Sequence, residues 1–264
     1  MDAIGVFDSG VGGLTVAAAL RRRLPRESIL YLGDTARLPY GSKSPDTVTR
    51  YTRRNIEFLT ERGVKAVVVA CNTASALALP QLDPDHHLKI PTWGVIEPGA
   101  RKAAAVSRGR VGIIATDATV RSDAYPQALR AIRPELEILS QACPLFVPLV
   151  EEGWHDDPIT EQIAERYLRP LLDAGVDTLV LGCTHYPLLV PVLRRVAGPD
   201  VTLVDSAEAV AEVVAAGLAA GGIEAAARHT PEHHVCVTDA GEKFHHLAGR
   251  ILGEDVTLEW VEVT

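Results

Sequence analysis

Two stretches of this chain are versions of one another, and they restrict the fold more than any other feature. "LTERGVKAVVVACNT" runs from Leu59 to Thr73, and "LLDAGVDTLVLGCTH" runs from Leu171 to His185. At a constant spacing of 112 residues, Gly63/Gly175, Val64/Val176, Val68/Val180 and Cys71/Cys183 are identical. Each stretch reads as a helix end, a glycine, a strand that is apolar at every position, and a cysteine. A strand apolar on both alternating faces needs cover on both, which is the condition of a parallel sheet between helical layers. The same spacing sets Gly41 of "LPYG" against Gly153 of "VEEG", and "IGVFDS" resembles "VGIIAT" at a slightly different spacing. The chain therefore reads as two related α/β halves.

The remaining pattern agrees. "AIGVF", "SILYLG", "TWGV", "RVGIIA", "LEILSQ", "VTLVD" and "HHVCVT" join the two repeated runs as predicted strands. Between most of them lie segments with apolar spacing of three and four, such as Pro45 to Arg62 and Ile159 to Ala174. This alternation predicts an α/β protein with mainly parallel sheets. The chain after Asp205 has no counterpart in the repeat and most simply returns to the first half. The predicted domains are residues 1–96 plus 207–264, and residues 97–206, with a site in the cleft between them. "IEPGAR" near Glu97 and "VDSAEA" near Ser206 are the two crossings.

Charge and cysteine usage exclude several classes. Formal net charge is −8, and the only basic cluster is Arg21-Arg22-Arg23, so nucleic acid is not the expected partner. Cys71, Cys143, Cys183 and Cys236 form no Cys-x-x-Cys pair, so no structural zinc site is expected. The histidine doublets His86-His87, His233-His234 and His245-His246 are poor chelates, because adjacent side chains point apart; no metal is expected. The most apolar window, Ala207 to Ala227, carries Glu208, Glu212 and Glu224 and reads as an amphipathic helix rather than a membrane span. "MDAIGVF" reads as entering a strand directly, so no signal peptide is expected. A cytoplasmic protein with reduced thiols is the expectation, which also disfavours a Cys71–Cys183 disulfide.

Ligands of parallel sheets gather outside the carboxyl ends of strands, where Cys71 and Cys183 both stand, each just before a predicted helix. A helix N-terminus lowers a thiol pKa. If the halves face one another, the two thiols lie on opposite sides of one cleft. Two acid/base groups on opposite faces of one carbon are what racemisation requires: one removes the α-proton and the other protonates the far face. The plain alternative is a pair of buried core cysteines. It suits Cys143, before Pro144, and Cys236, inside a strand; the matched settings of Cys71 and Cys183 argue against it for them.

"FDSGVGGLTV" (Phe7 to Val16), "GDTARLPYG" (Gly33 to Gly41), "ACNTAS" and "LGCTHYP", in this order, resemble the glutamate racemase family over nearly the whole chain. The resemblance implies a cofactor-independent enzyme with two α/β domains around a two-cysteine site. It implies interconversion of L- and D-glutamate for peptidoglycan, with Cys71 serving the D-isomer and Cys183 the L-isomer. Its members are often dimers, so a homodimer is expected, with glutamate as the small-molecule partner. No lysine stands in a pyridoxal-phosphate setting, and no cofactor is expected.

The surrounding motifs carry two readings each. "DSGVGG" lacks the Lys-Ser/Thr of a P-loop and the spacing of a dinucleotide fingerprint, leaving tight packing as its plain role. The resemblance implies that Asp8 and Ser9 contact substrate, with Asp8 near Cys71 as a proton partner or a ligand for the amino group. Asn72, Thr73, Thr184 and His185 suit helix capping; the resemblance implies substrate binding for all four. His185, two residues from a thiol, is expected to assist ionisation of Cys183. The resemblance also makes Tyr40 and Gly41 substrate contacts, and Thr116 and Thr119 are candidate ligands for a substrate carboxylate. Asp34, Pro39 and Glu151 are weaker candidates on the same loops. A racemase for aspartate or another acidic amino acid is the neighbouring alternative. A two-domain receptor for an acidic ligand is the non-enzymatic one, though a receptor has no need of paired thiols.

Overall fold

A computed structural model describes residues 2–82, 88–239 and 241–263. The doublet His86-His87 lies outside them. Strands β1 (Ile4–Asp8), β2 (Ile29–Gly33), β3 (Ala66–Val69), β4 (Thr92–Gly94), β9 (His233–Val237) and β10 (Leu258–Trp260) form one sheet in the order β10-β9-β2-β1-β3-β4. Strands β5 (Arg110–Ala115), β6 (Glu137–Ala142), β7 (Thr178–Gly182) and β8 (Thr202–Asp205) form a second in the order β6-β5-β7-β8. Every pairing is parallel.

The inner part of the first sheet, β2-β1-β3-β4, has the same order as the whole of the second, so the sequence repeat is a repeat of topology. Register agrees as well. Ile4 pairs with Ala66 and Val111 pairs with Thr178, which sets "IGVF" and "VGII" against equivalent residues of the repeated strands. The first sheet draws strands from both sides of the second in sequence, as the unrepeated tail suggested. Among the described residues, edge strand β10 is the one strand the apolar pattern did not announce; it is three residues long and mostly exposed.

Helices α1 (Leu14–Arg23), α2 (Pro45–Glu61), α3 (Asn72–Leu77), α4 (Leu79–Leu82) and α5 (Ile96–Val106) precede the second sheet. Helices α6 (Asp117–Arg121), α7 (Ala124–Ile132), α8 (Phe146–Glu151), α9 (Pro158–Asp173) and α10 (Val190–Ala197) accompany it, and α11 (Ser206–Gly221) and α12 (Glu242–Leu252) follow. The long helices start where their sequences say. Ser44 and Asp157 accept from the N–H groups of Thr47 and Ile159, and a proline stands at the first position of α2 and α9. The repeated Gly63 and Gly175 have φ of 74° and 73°, the left-handed turn that ends each helix and starts the next strand. In α11 the helix stops at Gly222, φ 62°, short of the predicted Ala227.

Continuous apolar strands are covered on both faces. Val68 packs with Val6, Leu14, Val210 and Val214 beneath α1 and α11, while Val67 and Val69 pack with Phe7, Leu59 and Val48 beneath α2. In the second sheet Val180 faces Ala100 and Leu129, whereas Leu179 and Leu181 face Leu168 and Tyr186. Helix α11 thus packs on the first sheet directly after leaving the second.

Candidate active site

The carboxyl ends of β1, β3, β5 and β7 point at one another across the gap between the sheets. In each sheet the chain runs from the central strand to one neighbour and then returns to the other side, which opens a crevice between β1 and β3 and between β5 and β7. Ser9 and Cys71 stand at the first crevice, Thr116 and Cys183 at the second. All four line a single small cavity of about 20 Å³. The loop after β2 adds Pro39, Tyr40 and Gly41; the residues after the cysteines add Asn72, Thr73, Thr184 and His185. Leu38 and Val147 complete the wall. Sequence reasoning missed these two, because an isolated leucine or valine beside a loop carries no local signal.

Exposure separates the cysteines. Cys71 and Cys183 are 5% and 7% accessible, whereas Cys143 and Cys236 are 0% accessible. All four are members of the apolar clusters, but only Cys71 and Cys183 also line the cavity. Burial pushes the Cys143 thiol well up, and burial beside Glu259 pushes Cys236 up to about 12.

Two expectations about the thiols need correction. Cys71 precedes the short helix α3, but Cys183 is followed by a single 3-10 turn, Tyr186–Leu189, held by Pro187, and not directly by an α-helix. Nor is the Cys71 thiol lowered. Burial, and then the charge of Asp8, raise it well above the ordinary value, outweighing the Ala74 N–H and the Ser9 hydroxyl at 3.9 Å. Desolvation of a thiolate exceeds what one turn of helix returns.

Asp8 lies beneath the cavity, fully buried. Its Oδ2 accepts from the N–H groups of Gly10 at 3.0 Å and Gly13 at 3.1 Å, and its Oδ1 accepts from Thr184 Oγ1 at 3.2 Å. Burial raises its pKa, opposed by the charge of His185 and by those donors. The hydroxyl of Thr184 thus reaches across the gap instead of capping a helix. The glycines of "DSGVGG" are explained by proximity. A Cβ on Gly12 would lie 2.6 Å from both His185 Nδ1 and Thr184 Oγ1, and one on Gly13 would lie 2.3 Å from Asp8 Cβ.

His185 is buried between a thiol and a carboxylate. Nδ1 lies 3.9 Å from Cys183 Sγ and Nε2 lies 3.2 Å from Glu151 Oε1. Burial alone would lower its pKa, but the hydrogen bonds to Cys183 and Glu151 and the charges of Cys183 and Asp8 raise it to about 10. These contacts favour the charged form of the ring beside Cys183. Glu151 reaches the site only through this histidine.

Three hydroxyls close the far wall. Thr73 Oγ1 lies 3.1 Å from both Thr116 Oγ1 and Thr119 Oγ1, and the latter two are 3.0 Å apart. Thr119 is behind Thr116 and does not line the cavity. Gly41 packs on Thr116 so closely that a Cβ there would sit 2.7 Å from Thr116 Cβ. Asp34 is neither a surface charge nor a cavity residue. It is buried, accepts from the Tyr40 hydroxyl and from Asn55 Nδ2 at 3.4 Å, and faces Arg37 at 3.5 Å. It holds Tyr40 in place, and burial with the Asp34 charge raises the Tyr40 phenol far above its usual range. Among the described residues, no group of three or more His, Cys, Asp or Glu side chains converges as a metal site.

A family model described as Asp/Glu/Hydantoin racemase matches residues 14–214. The chain belongs to this family. Among curated members of the racemase family, a glutamate racemase of Geobacter metallireducens is 54% identical over 252 residues, covering 95% of this chain and 93% of its own. A glutamate racemase isoform of Bacillus anthracis superposes with a TM-score of 0.94 at 42% identity, covering 99% of this chain and 98% of that one. A Francisella tularensis glutamate racemase, solved in complex with D-glutamate, gives 0.92 at 36% identity with the same coverage. The family match begins beyond Asp8 and Ser9, so those two residues rest on the geometry of β1. Among the described residues, no helix is long and apolar enough to cross a membrane.

Proposed function

We propose that this chain interconverts L- and D-glutamate by proton transfer at the α-carbon between two thiols, without a cofactor. The observation that carries this is that Cys71 and Cys183, from the ends of repeated strands in two facing sheets, line one cavity. The names of its relatives supply the substrate. With L-glutamate bound, the Cys183 thiolate takes the α-proton: the C–H bond breaks as the S–H bond forms. The Cys71 thiol gives its proton to the opposite face of the carbanion, and its sulfur keeps the S–H electron pair. The D-to-L direction exchanges the roles. The arrangement suits this division. His185, whose pKa is raised, stands 3.9 Å from Cys183 and is placed to assist it as the base, while burial and Asp8 raise the Cys71 thiol and suit it to the acid's role.

The substrate carboxylates need donors, and the cavity supplies them from Ser9, Asn72, Thr73, Thr116 and Thr184, with Tyr40 and Gly41 shaping the wall. Asp8, beneath the floor, is placed for the α-ammonium group. The two domains are residues 1–96 plus 207–264, and residues 97–206, a division supported by sheet membership and by the packing of α11. The D-glutamate serves peptidoglycan synthesis in the cytoplasm, and the protein acts as a homodimer, which its mass in solution tests.

A chiral assay of purified protein on glutamate and aspartate, with and without pyridoxal phosphate, tests the reading. Racemisation of glutamate, indifferent to the added cofactor, is expected. Preference for aspartate would transfer the function to the neighbouring substrate, and ligand binding without turnover would make the protein a receptor.

A further inference from the structure

Asn72, the residue after Cys71, is 2% accessible and borders the cavity, yet its side-chain Nδ2 has no hydrogen-bond partner. Its Oδ1 is taken: the Tyr125 hydroxyl, from α7 of the other sheet's helical layer, donates to it at 2.7 Å. Tyr125 is itself 1% accessible. Asp123, in the left-handed region at φ 56°, turns the chain from α6 into α7 two residues before it. A Cβ on Gly99 would lie 3.2 Å from both Tyr125 Oη and Ser206 Cβ, so the phenol is wedged where the two crossings between the sheets meet. Burial, offset by Ser206 and reinforced by Asp205, keeps that phenol protonated, and hence a donor, at any working pH.

A primary amide has one acceptor end and one donor end. A phenol that engages the oxygen end orients the amino end away from itself, and a buried donor without a partner costs stability unless a ligand meets it. We propose that Tyr125 is a positioning residue: it fixes the Asn72 amide with Nδ2 turned to the cavity, where it donates to a carboxylate of the amino-acid substrate. With the phenol removed, the amide can turn over and present its oxygen to the carboxylate, which repels it. The inference rests on the glutamate reading above. It also ties substrate affinity to the point where the chain passes between its halves, because the same side chain contacts both.

Steady-state kinetics of Tyr125→Phe in both directions test it. KM for L- and D-glutamate is expected to rise about tenfold, with kcat within about threefold of wild type, since one hydrogen bond to a charged group is lost. In an Asn72→Ala background the same change is expected to have no further effect on KM. A purely structural tyrosine would lower stability and act equally in both backgrounds. Asn72→Asp reads the contact from its other end, keeping the acceptor for Tyr125 but replacing the donor. It is expected to raise KM at least as much, and carries the test if Tyr125→Phe folds poorly. Wild-type KM in either Tyr125→Phe or Asn72→Asp, with an active wild-type enzyme, overturns the positioning role alone. A wild-type protein inert toward glutamate overturns the function and this role together.

Discussion

At the scale of single residues, the two thiols are unlike despite their matched strands. Cys183 has an imidazole beside it; Cys71 has a hydroxyl and a nearby carboxylate. Both are required if each serves one face of the α-carbon. Cys71→Ala and Cys183→Ala are each expected to lower racemisation by at least about 10²–10⁴-fold, with far-ultraviolet circular dichroism unchanged. Turnover near wild type in either variant would remove that cysteine from the mechanism. The His185 imidazolium also sets a pH limit. Its pKa of about 10 depends in part on the hydrogen bond to Glu151, so the L-to-D rate is expected to fall as pH rises through that value. In Glu151→Gln one raising contribution is gone, and the alkaline limb of kcat/KM is expected to move to lower pH. An unmoved limb would separate Glu151 from the histidine's titration. The roles of Asp34 and Glu151 were not legible in the sequence, since a loop carboxylate looks the same whether it holds a tyrosine, holds a histidine, or meets water.

At the scale of elements, loops hold the strand ends together across the gap. The turn after β1 packs its glycines against Thr184 and His185, so Gly12→Ala is expected to destabilise the fold by about 1–3 kcal/mol, measured by urea unfolding, and to disturb the histidine. Unchanged stability and activity would mean that the two loops can part at no cost. At the opposite end of β7, Asp177 ties the second sheet to its incoming loop. It accepts from Ser107 Oγ at 2.8 Å, Arg108 N at 3.1 Å, Arg110 N at 2.9 Å and Thr178 Oγ1 at 2.7 Å. Burial would raise its pKa, but these donors outweigh that and hold it below the ordinary value. A lowered folded pKa means stabilisation that is present above the unfolded value, about 3.9, and lost as pH falls through the folded one. Asp177→Asn is expected to cost about 1–3 kcal/mol near neutrality, with the gap to wild type closing below pH of about 4. A gap constant with pH would contradict the assignment. Among the described residues, sequence patterning found nine of the ten strands from their β-branched and apolar runs; β10 is short and mostly exposed, and such an edge writes nothing.

At the scale of the whole molecule, the repeat explains both what was legible and what was not. A duplicated β-α-β unit puts Cys71 and Cys183 at equivalent strand ends, so that placement follows from spacing and parallel topology alone. Contacts made across the gap do not: Tyr125 on Asn72, Gly12 on His185 and the three threonine hydroxyls each join residues whose partners are set by how the halves dock. That docking leaves a cavity of about 20 Å³, room for about one water molecule, so the proposed reaction requires the halves to open for an amino acid. In the proposed reaction, closure brings one carbon between two sulfurs. The most direct test of that geometry is L-glutamate turnover in deuterated water, with both isomers recovered at low conversion. The D-glutamate formed is expected to carry deuterium at the α-carbon from the first turnovers, while the remaining L-glutamate keeps its protium. Deuterium entering recovered L-glutamate as early as the product would mean that one group serves both faces, and would contradict the two-thiol account.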